Sequence, residues 1–167
     1  MSQLLVEIGT EEIPAGYIEP ALNAFADSLF QHLDQSRIAH GKARVFGTPR
    51  RLTVAIDDVA DRQQPQTQEL MGPPARIAFE KDGTPTVAAK KFAEKNDVSV
   101  GRLSVRETEK GRYVVARKTD AGQATRLILK KSLPSILLAI PFPKTMRWSN
   151  LSIEFARPIH SILVLLP

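Results

Sequence analysis

The sequence predicts an α+β fold, a mixed, mostly antiparallel sheet with helices packed against it. Three observations carry that expectation. Strand-like and helix-like patterns follow one another as strand, helix, strand pair, helix, strand pair, helix, strand, which is not the strict alternation of βαβ units. Both strand pairs are joined by short turn signatures, Gly47-Thr48-Pro49-Arg50 and Glu109-Lys110-Gly111, and short turns join antiparallel strands. A long amphipathic helix carries an apolar stripe that needs a sheet to lie on. At 167 residues, 43% hydrophobic and 25% charged, the chain has room for one globular domain or two very small ones, and 1–167 is read as a single α+β domain.

Leu4-Leu5-Val6-Glu7-Ile8, bounded by Gly9, reads as a mostly buried strand, with Pro14 marking the turn after it. Ile18, Leu22, Phe25, Leu29 and Leu33 recur at helical spacing, with Ala21, Ala26 and Phe30 beside them. Because proline is accepted only in a first turn, Pro20 places the helix start near residues 17–20, and the pattern runs to about Ser36. Ala43–Phe46 and Leu52–Val59 are two strands. In the second, Leu52, Val54 and Ile56 alternate with Thr53, Ala55 and Asp57, as one buried face requires.

Asp61–Thr67 is polar and reads as a loop, and Met71-Gly72-Pro73-Pro74 as a fixed bend. Thr84 with Pro85 predicts a helix start, with Val87, Ala88 and Phe92 as a short apolar face and an end by Asn96. Leu103–Val105 and Arg112–Arg117 form a hairpin. A helix over about 123–139 contains Pro134, where it must kink or restart, and Pro141-Phe142-Pro143 ends it. Ser161–Leu166 is a continuous apolar run, the pattern of a buried strand. Pro167 follows it directly, so the chain reads as a fragment cut from a longer protein.

Charge is uneven along the chain. Residues 1–40 hold Arg37 against six acids (Glu7, Glu11, Glu12, Glu19, Asp27, Asp34). Residues 101–131 hold nine cations (Arg102, Arg106, Lys110, Arg112, Arg117, Lys118, Arg126, Lys130, Lys131) against three acids (Glu107, Glu109, Asp120). The net charge of +5 is therefore a dipole, suited to a polyanion on one side and a protein partner on the other, or to no more than an uneven solvated surface. The absence of cysteine excludes disulfides, thiolate metal sites and cysteine nucleophiles. With no secretory signal and no membrane-length apolar run, the expected location is the cytoplasm.

Catalytic patterns are missing from the sequence. It contains neither Gly-x-x-x-x-Gly-Lys nor Gly-x-Gly-x-x-Gly, and His32, His40 and His160 are scattered without metal-ligand spacing. Glu11-Glu12 and Asp57-Asp58 are paired acids, but sequence neighbours do not aim at one point. They read as solvating or helix-capping groups, and a hydrolase built on Glu11 and His160 has too little behind it.

Five stretches exceed what composition explains. They are Leu4-Leu5-Val6-Glu7-Ile8-Gly9-Thr10-Glu11-Glu12-Ile13-Pro14, Thr48-Pro49-Arg50-Arg51-Leu52, Met71-Gly72-Pro73-Pro74, Pro141-Phe142-Pro143-Lys144-Thr145-Met146-Arg147-Trp148 and Phe155-Ala156-Arg157-Pro158-Ile159-His160. In this order and spacing, from Leu4 to Leu166, the chain resembles the N-terminal region of the beta subunit of bacterial heterotetrameric glycyl-tRNA synthetases. The resemblance implies that a separate alpha subunit carries the class II active site, where glycine, ATP and Mg are expected. It also implies that the beta subunit binds tRNA(Gly), and that two alpha and two beta chains assemble. It implies no cofactor and no catalytic residue in this stretch.

Six residues are candidates for contact with RNA or a partner: Arg50, Arg51, Lys144, Arg147, Trp148 and Arg157. Arg50 and Arg51, at a hairpin turn, can grip successive phosphates or a carboxylate, or simply flank a strand and be neutralised by Asp57 or Asp58. Lys144, Arg147 and Trp148 follow a double-proline bend. They offer two cations and a stacking platform for an unpaired nucleotide, unless Trp148 is the loop's own core anchor. Arg157 can pair with an acid of the first segment, and His160 reads as a satisfied core or boundary group. Two functions follow: the N-terminal domain of a synthetase beta subunit, or a stand-alone basic RNA-binding or regulatory module without catalysis.

Overall fold

A computed structural model describes residues 2–80, 82–147, 150 and 152–167. In chain order the elements are β1 (Ser2–Thr10), α1 (Ala15–Gln35), β2 (Ala43–Thr48), β3 (Arg51–Val59), β4 (Gln66–Pro74), α2 (Ala75–Ala78) and α3 (Val87–Lys95). They continue with a 3₁₀ turn (Val100–Arg102), β5 (Leu103–Thr108), β6 (Gly111–Asp120), α4 (Thr125–Leu138), β7 (Met146–Arg147), β8 (Glu154–Phe155) and β9 (Ile159–Leu165). The antiparallel sheets and helices are the α+β class that the sequence predicts. The elements fall into two compact units, one comprising residues up to Gln64 together with Gly122–Pro167, the other Pro65–Ala121.

The first unit is built on a four-stranded antiparallel sheet in the order β2-β3-β1-β9. The register pairs Leu4 with Ile56, Val6 with Val54 and Ile8 with Leu52, so one face of the two central strands is a block of six fully buried aliphatic side chains. Period-two alternation puts them on the same face. Against them α1 presents Ala21, Leu22, Phe25, Ala26, Leu29 and Leu33, the stripe the spacing predicts, and α4 adds Leu129, Leu133 and Leu137 to the same core. Removing each large aliphatic side chain from water is worth about 1.5–3 kcal/mol. The alternate residues of β3 are less exposed than one buried face predicts. Thr53 is 8% and Ala55 3% exposed, because β3 lies inside the sheet and the Glu7 carboxylate accepts the Thr53 hydroxyl at 2.9 Å.

Helix α1 begins at Ala15, earlier than Pro20 suggests. The proline costs the helix one bond to the carbonyl of Gly16, and Gly16 is exposed, so water can take that donor's place. The helix stops in a Schellman arrangement. Arg37 turns left-handed at φ 56°, its N–H reaches the Asp34 carbonyl at 2.9 Å, and the Ile38 N–H reaches that of Leu33 at 2.9 Å. Ile38 is buried beside Leu33 in the same core, the apolar contact that accompanies this cap. Helix α4 runs through Pro134 as one element. The carbonyl left without its amide, that of Lys130, belongs to an exposed residue.

Three expectations for this unit and its neighbour need correcting. The apolar run after Ile159 is an edge strand, not a buried one. In β9, Ile162, Leu163, Val164 and Leu165 are 39–53% exposed, since only β1 pairs with it. Met71-Gly72-Pro73-Pro74, expected as a fixed bend, is the irregular end of strand β4. Its prolines are tolerated because β4 is the edge of the three-stranded sheet β4-β6-β5 and its register slips between Met71 and Pro74. Helix α3 starts at Val87, two residues beyond the predicted first position, because Pro85 bridges Phe79 and the Thr86 hydroxyl is spent on the carbonyls of Ile77 and Ala78.

The second unit has the small core its length permits. Ala78, Ala89 and Val114 are fully buried, and Phe79, Phe92 and Leu103 pack around them. A Cβ at Gly72 would sit 2.6 Å from the Phe92 ring, so any larger residue there has to displace that half-buried ring. The β5–β6 hairpin closes with Thr108 opposite Gly111, as its turn signature predicts.

At the rim of the first sheet, Asp57 accepts the Gln3 amide at 2.8 Å and the Arg44 guanidinium at 3.0 Å. These bonds, Gln3 first, hold its carboxyl below the ordinary aspartate value. A depressed native pKa adds stability that is present above the ordinary carboxylate range and lost as pH falls through the native value. In a carboxyl-carbon NMR titration Gln3→Ala is expected to move the Asp57 midpoint upward. An unmoved midpoint would contradict the assignment of the cause to Gln3.

Candidate functional site

Four of the five sequence stretches meet at one end of the four-stranded sheet. The chain leaves β1 through Glu11–Pro14, and this segment is tied on both sides. The Thr10 and Ile13 amides donate to the carbonyls of Arg50 (2.9 Å) and Pro49 (2.7 Å), in the β2–β3 turn. The Glu11 amide donates to the Pro158 carbonyl at 3.1 Å, at the entrance to β9. The fourth stretch joins through β7, whose Met146 and Arg147 pair with Phe155 and Glu154 of β8, and through Phe142, which meets the buried Phe155 edge-on at 4.9 Å. The remaining stretch, at Met71–Pro74, belongs to the other unit.

The sequence-predicted residues have distinct fates in this arrangement. Arg50 and Arg51 each pair with a different acid of the first segment. Arg50, in the β2–β3 turn, reaches Glu12 (3.2 Å), and Arg51, the first residue of β3, reaches Glu7 (3.7 Å). Their acids are therefore these two glutamates of the first segment, while Asp57 is engaged by Arg44. Arg157 reaches the first segment, but its Nε donates to the backbone carbonyl of Glu12 at 2.9 Å, with Nη1 donating to the Ala156 carbonyl at 3.0 Å. It is a clamp on the Glu11–Pro14 loop. Arg147 pairs with Glu154 at 2.8 Å. Lys144 is exposed and makes no ion pair among the described residues. Trp148 lies outside the described residues.

Two further groups, His160 and Glu11, belong to the cluster although neither is among the six candidates of the sequence. His160 is 58% exposed, not a core group, and its Nε2 donates to the Glu11 carboxylate at 2.8 Å. Glu11 and Glu12, adjacent in sequence, thus face different partners, His160 and Arg50. Glu11 and His160, named in the sequence only as a weakly supported hydrolase pair, are 149 residues apart along the chain, and only folding shows that they are hydrogen-bonded.

A histidine oriented by a carboxylate is half of a nucleophile relay. The other half is not supplied, since among the described residues no hydroxyl is bonded to His160. Nor do the described residues include a group of three or more histidines and acids placed to hold a metal. What the arrangement offers is a stiff loop displaying alternating charges, with backbone hydrogen bonds and Arg157 holding it in place. The Arg50–Glu12 pair is 65% and 70% exposed, and exposed pairs couple weakly. A double-mutant cycle on Arg50→Ala and Glu12→Ala is expected to give a coupling of about 1 kcal/mol or less in urea unfolding. These charges are consequently available to exchange their internal partner for an external one.

A family model described as glycyl-tRNA synthetase beta subunit matches residues 4–167. The glycine–tRNA ligase beta subunit of Desulfatibacillum aliphaticivorans is 54% identical over 166 residues, covering 99% of this chain and 24% of that protein. That of Desulforapulum autotrophicum is 49% identical over 166 residues, with the same coverage, and that of Syntrophus aciditrophicus 42% over 164 residues, covering 98% and 24%. The chain thus spans about a quarter of the length of these relatives. Among the described residues no helix is long and apolar enough to cross a membrane. With nearly its whole length matched, the chain belongs to the glycyl-tRNA synthetase beta-subunit family.

Proposed function

We propose that this chain works as the N-terminal portion of a glycine–tRNA ligase beta subunit, supporting the ATP-dependent attachment of glycine to tRNA(Gly) in the cytoplasm. The observation that carries the reading is the family match over residues 4–167. In this reading the chain contributes RNA binding and assembly with a catalytic alpha subunit in an alpha2-beta2 enzyme. ATP and magnesium belong to the alpha-subunit active site, and no residue here is assigned to them.

The clamped loop and its neighbours suit the assembly role. Glu11, Glu12, Arg50 and His160 present both signs of charge on a backbone held from two sides, which favours selection of one partner orientation over raw affinity. Arg51, Lys144, Arg147 and Arg157 are further candidates for contact with RNA or the alpha subunit, and Trp148 remains one on its residue type alone.

The test is reconstitution. Full-length beta subunit, alpha subunit, tRNA(Gly), glycine and ATP are mixed, in parallel with a beta subunit lacking residues 1–167. Loss of glycyl-tRNA formation in the truncated sample, with the alpha subunit's glycine-dependent ATP–pyrophosphate exchange retained, is the expected result. Undiminished charging without residues 1–167 overturns the proposal.

A further inference from the structure

We propose that a groove in the second unit, between α2 and the β5–β6 hairpin, binds a single-stranded segment of RNA. The assignment rests on the RNA-binding part of the function proposed above, and it names a set of residues different from those of the clamped loop. The groove has a volume of about 980 Å³, at the upper end of what ligand sites occupy, and most of its polar lining is exposed.

Its lining has the two chemistries that single strands require. Arg76 from α2 and Lys110 and Arg112 from the hairpin tip supply three exposed cations, against one carboxylate, Glu80. Among the described residues none of the three cations makes an ion pair. The contrast lies on the same sheet, where Arg106 and Arg117 are both taken by Glu69, at 2.6 and 2.9 Å. Cations that no ion pair holds can track a phosphate backbone along a groove, although Glu107 stands opposite Arg112 in the hairpin register. Tyr113, half-buried, also lines the groove and supplies aromatic surface on which a base can stack, beside Phe79, which packs against the core of this unit. Charge complementarity therefore selects a polyanion, and the aromatic surface selects one with bases. A duplex keeps its bases stacked on one another and offers only phosphates and sugars here.

The experiment is fluorescence anisotropy on the purified chain with a short labelled oligoribonucleotide of unstructured mixed sequence, across a salt series. A blunt RNA duplex and poly-glutamate serve as comparators, and circular dichroism confirms that each variant is folded. The single strand is expected to bind more tightly than the duplex. Replacing Arg76 and Arg112 together with alanine should flatten the slope of log affinity against log salt by about 0.7 for each phosphate the variant no longer neutralises. Tyr113→Leu should weaken binding roughly 10-fold, while Tyr113→Phe keeps most of it. Lys95→Ala, a cation of the same unit outside the groove, should change neither quantity.

Absence of single-strand binding by the folded chain overturns the proposal. So does binding that is indifferent to Arg76, Arg112 and Tyr113, or poly-glutamate binding as tight as RNA, which would give the groove to an acidic protein segment. The two proposals fail separately. Groove-dependent RNA binding with undiminished charging after removal of residues 1–167 sinks the synthetase role alone. Charging that needs these residues, with RNA binding unmoved by the groove variants, sinks the groove alone.

Discussion

Phe25→Ala is expected to lower the stability of the chain by about 3–5 kcal/mol, the largest loss that any one truncation in this core should produce. Phe25 is fully buried in the centre of the α1 stripe, opposite the aliphatic block formed by Leu4, Val6, Ile8, Leu52, Val54 and Ile56. Truncation removes the ring's transfer energy and leaves a cavity between a helix and a hydrogen-bonded sheet, neither of which can move inward freely. Domains are stable by about 5–15 kcal/mol in total, so the loss consumes much of the margin. Urea unfolding followed by far-ultraviolet circular dichroism measures it. Phe30→Ala, on the same helix but only half-buried, should cost distinctly less. A Phe25→Ala loss under about 1 kcal/mol would show that α1 does not seat on the sheet in this register.

Gly122→Ala and Gly16→Ala are expected to shift stability in opposite directions. Gly122 has φ 75°, and a Cβ there would lie 2.5 Å from the carbonyl oxygen of Gln63. The left-handed backbone alone costs a non-glycine residue about 1–3 kcal/mol, and the collision with a backbone atom adds to it. That atom cannot retreat. The Gln63 amide donates to the Gln123 carbonyl at 3.0 Å, the Gln63 side chain accepts the Gln123 amide at 2.9 Å, and Arg62 donates to the Gly122 carbonyl at 3.0 Å. These bonds, with Thr125 donating to the carbonyls of Asp61 and Ala60, hold together the two places where the chain leaves and re-enters the first unit. Gly16 lies in α1 with nothing within 4 Å of an added Cβ. Alanine there should stabilise by up to about 0.5 kcal/mol, the low end of the mid-helix range because Gly16 lies in the first turn. Equal effects at the two positions would remove the argument from backbone geometry.

The elements that were legible in the sequence are those whose pattern reports their own burial. The α1 stripe, the β3 alternation and the β5–β6 turn each carry a local period or turn chemistry that only one structure satisfies. β4 was not legible. Gln66-Thr67-Gln68-Glu69 is polar on both faces, and such a segment becomes a strand only because β6 offers it an edge to pair with. β9 misled for the complementary reason. Its aliphatic run is what a buried strand looks like, yet burial depends on what lies on either side, and β1 covers one edge only. Nor does composition change at Pro65 or Ala121, where one compact unit gives way to the other.

The same division holds for function. The sequence by itself determined the fold class and, through stretches in a fixed order, the family, because both are written in residue type and spacing along the chain. Only the tertiary structure decided which charges are spent and which are free. Arg50, Arg51, Arg147 and Arg157 look alike as cations in a sequence, yet each is claimed by an acid or a carbonyl, and Arg157 and its acceptor, the Glu12 carbonyl, are 145 residues apart. Arg76, Lys110 and Arg112 are left facing a groove. Coulomb interactions depend on distance in space, and chain folding sets that distance without regard to separation in sequence.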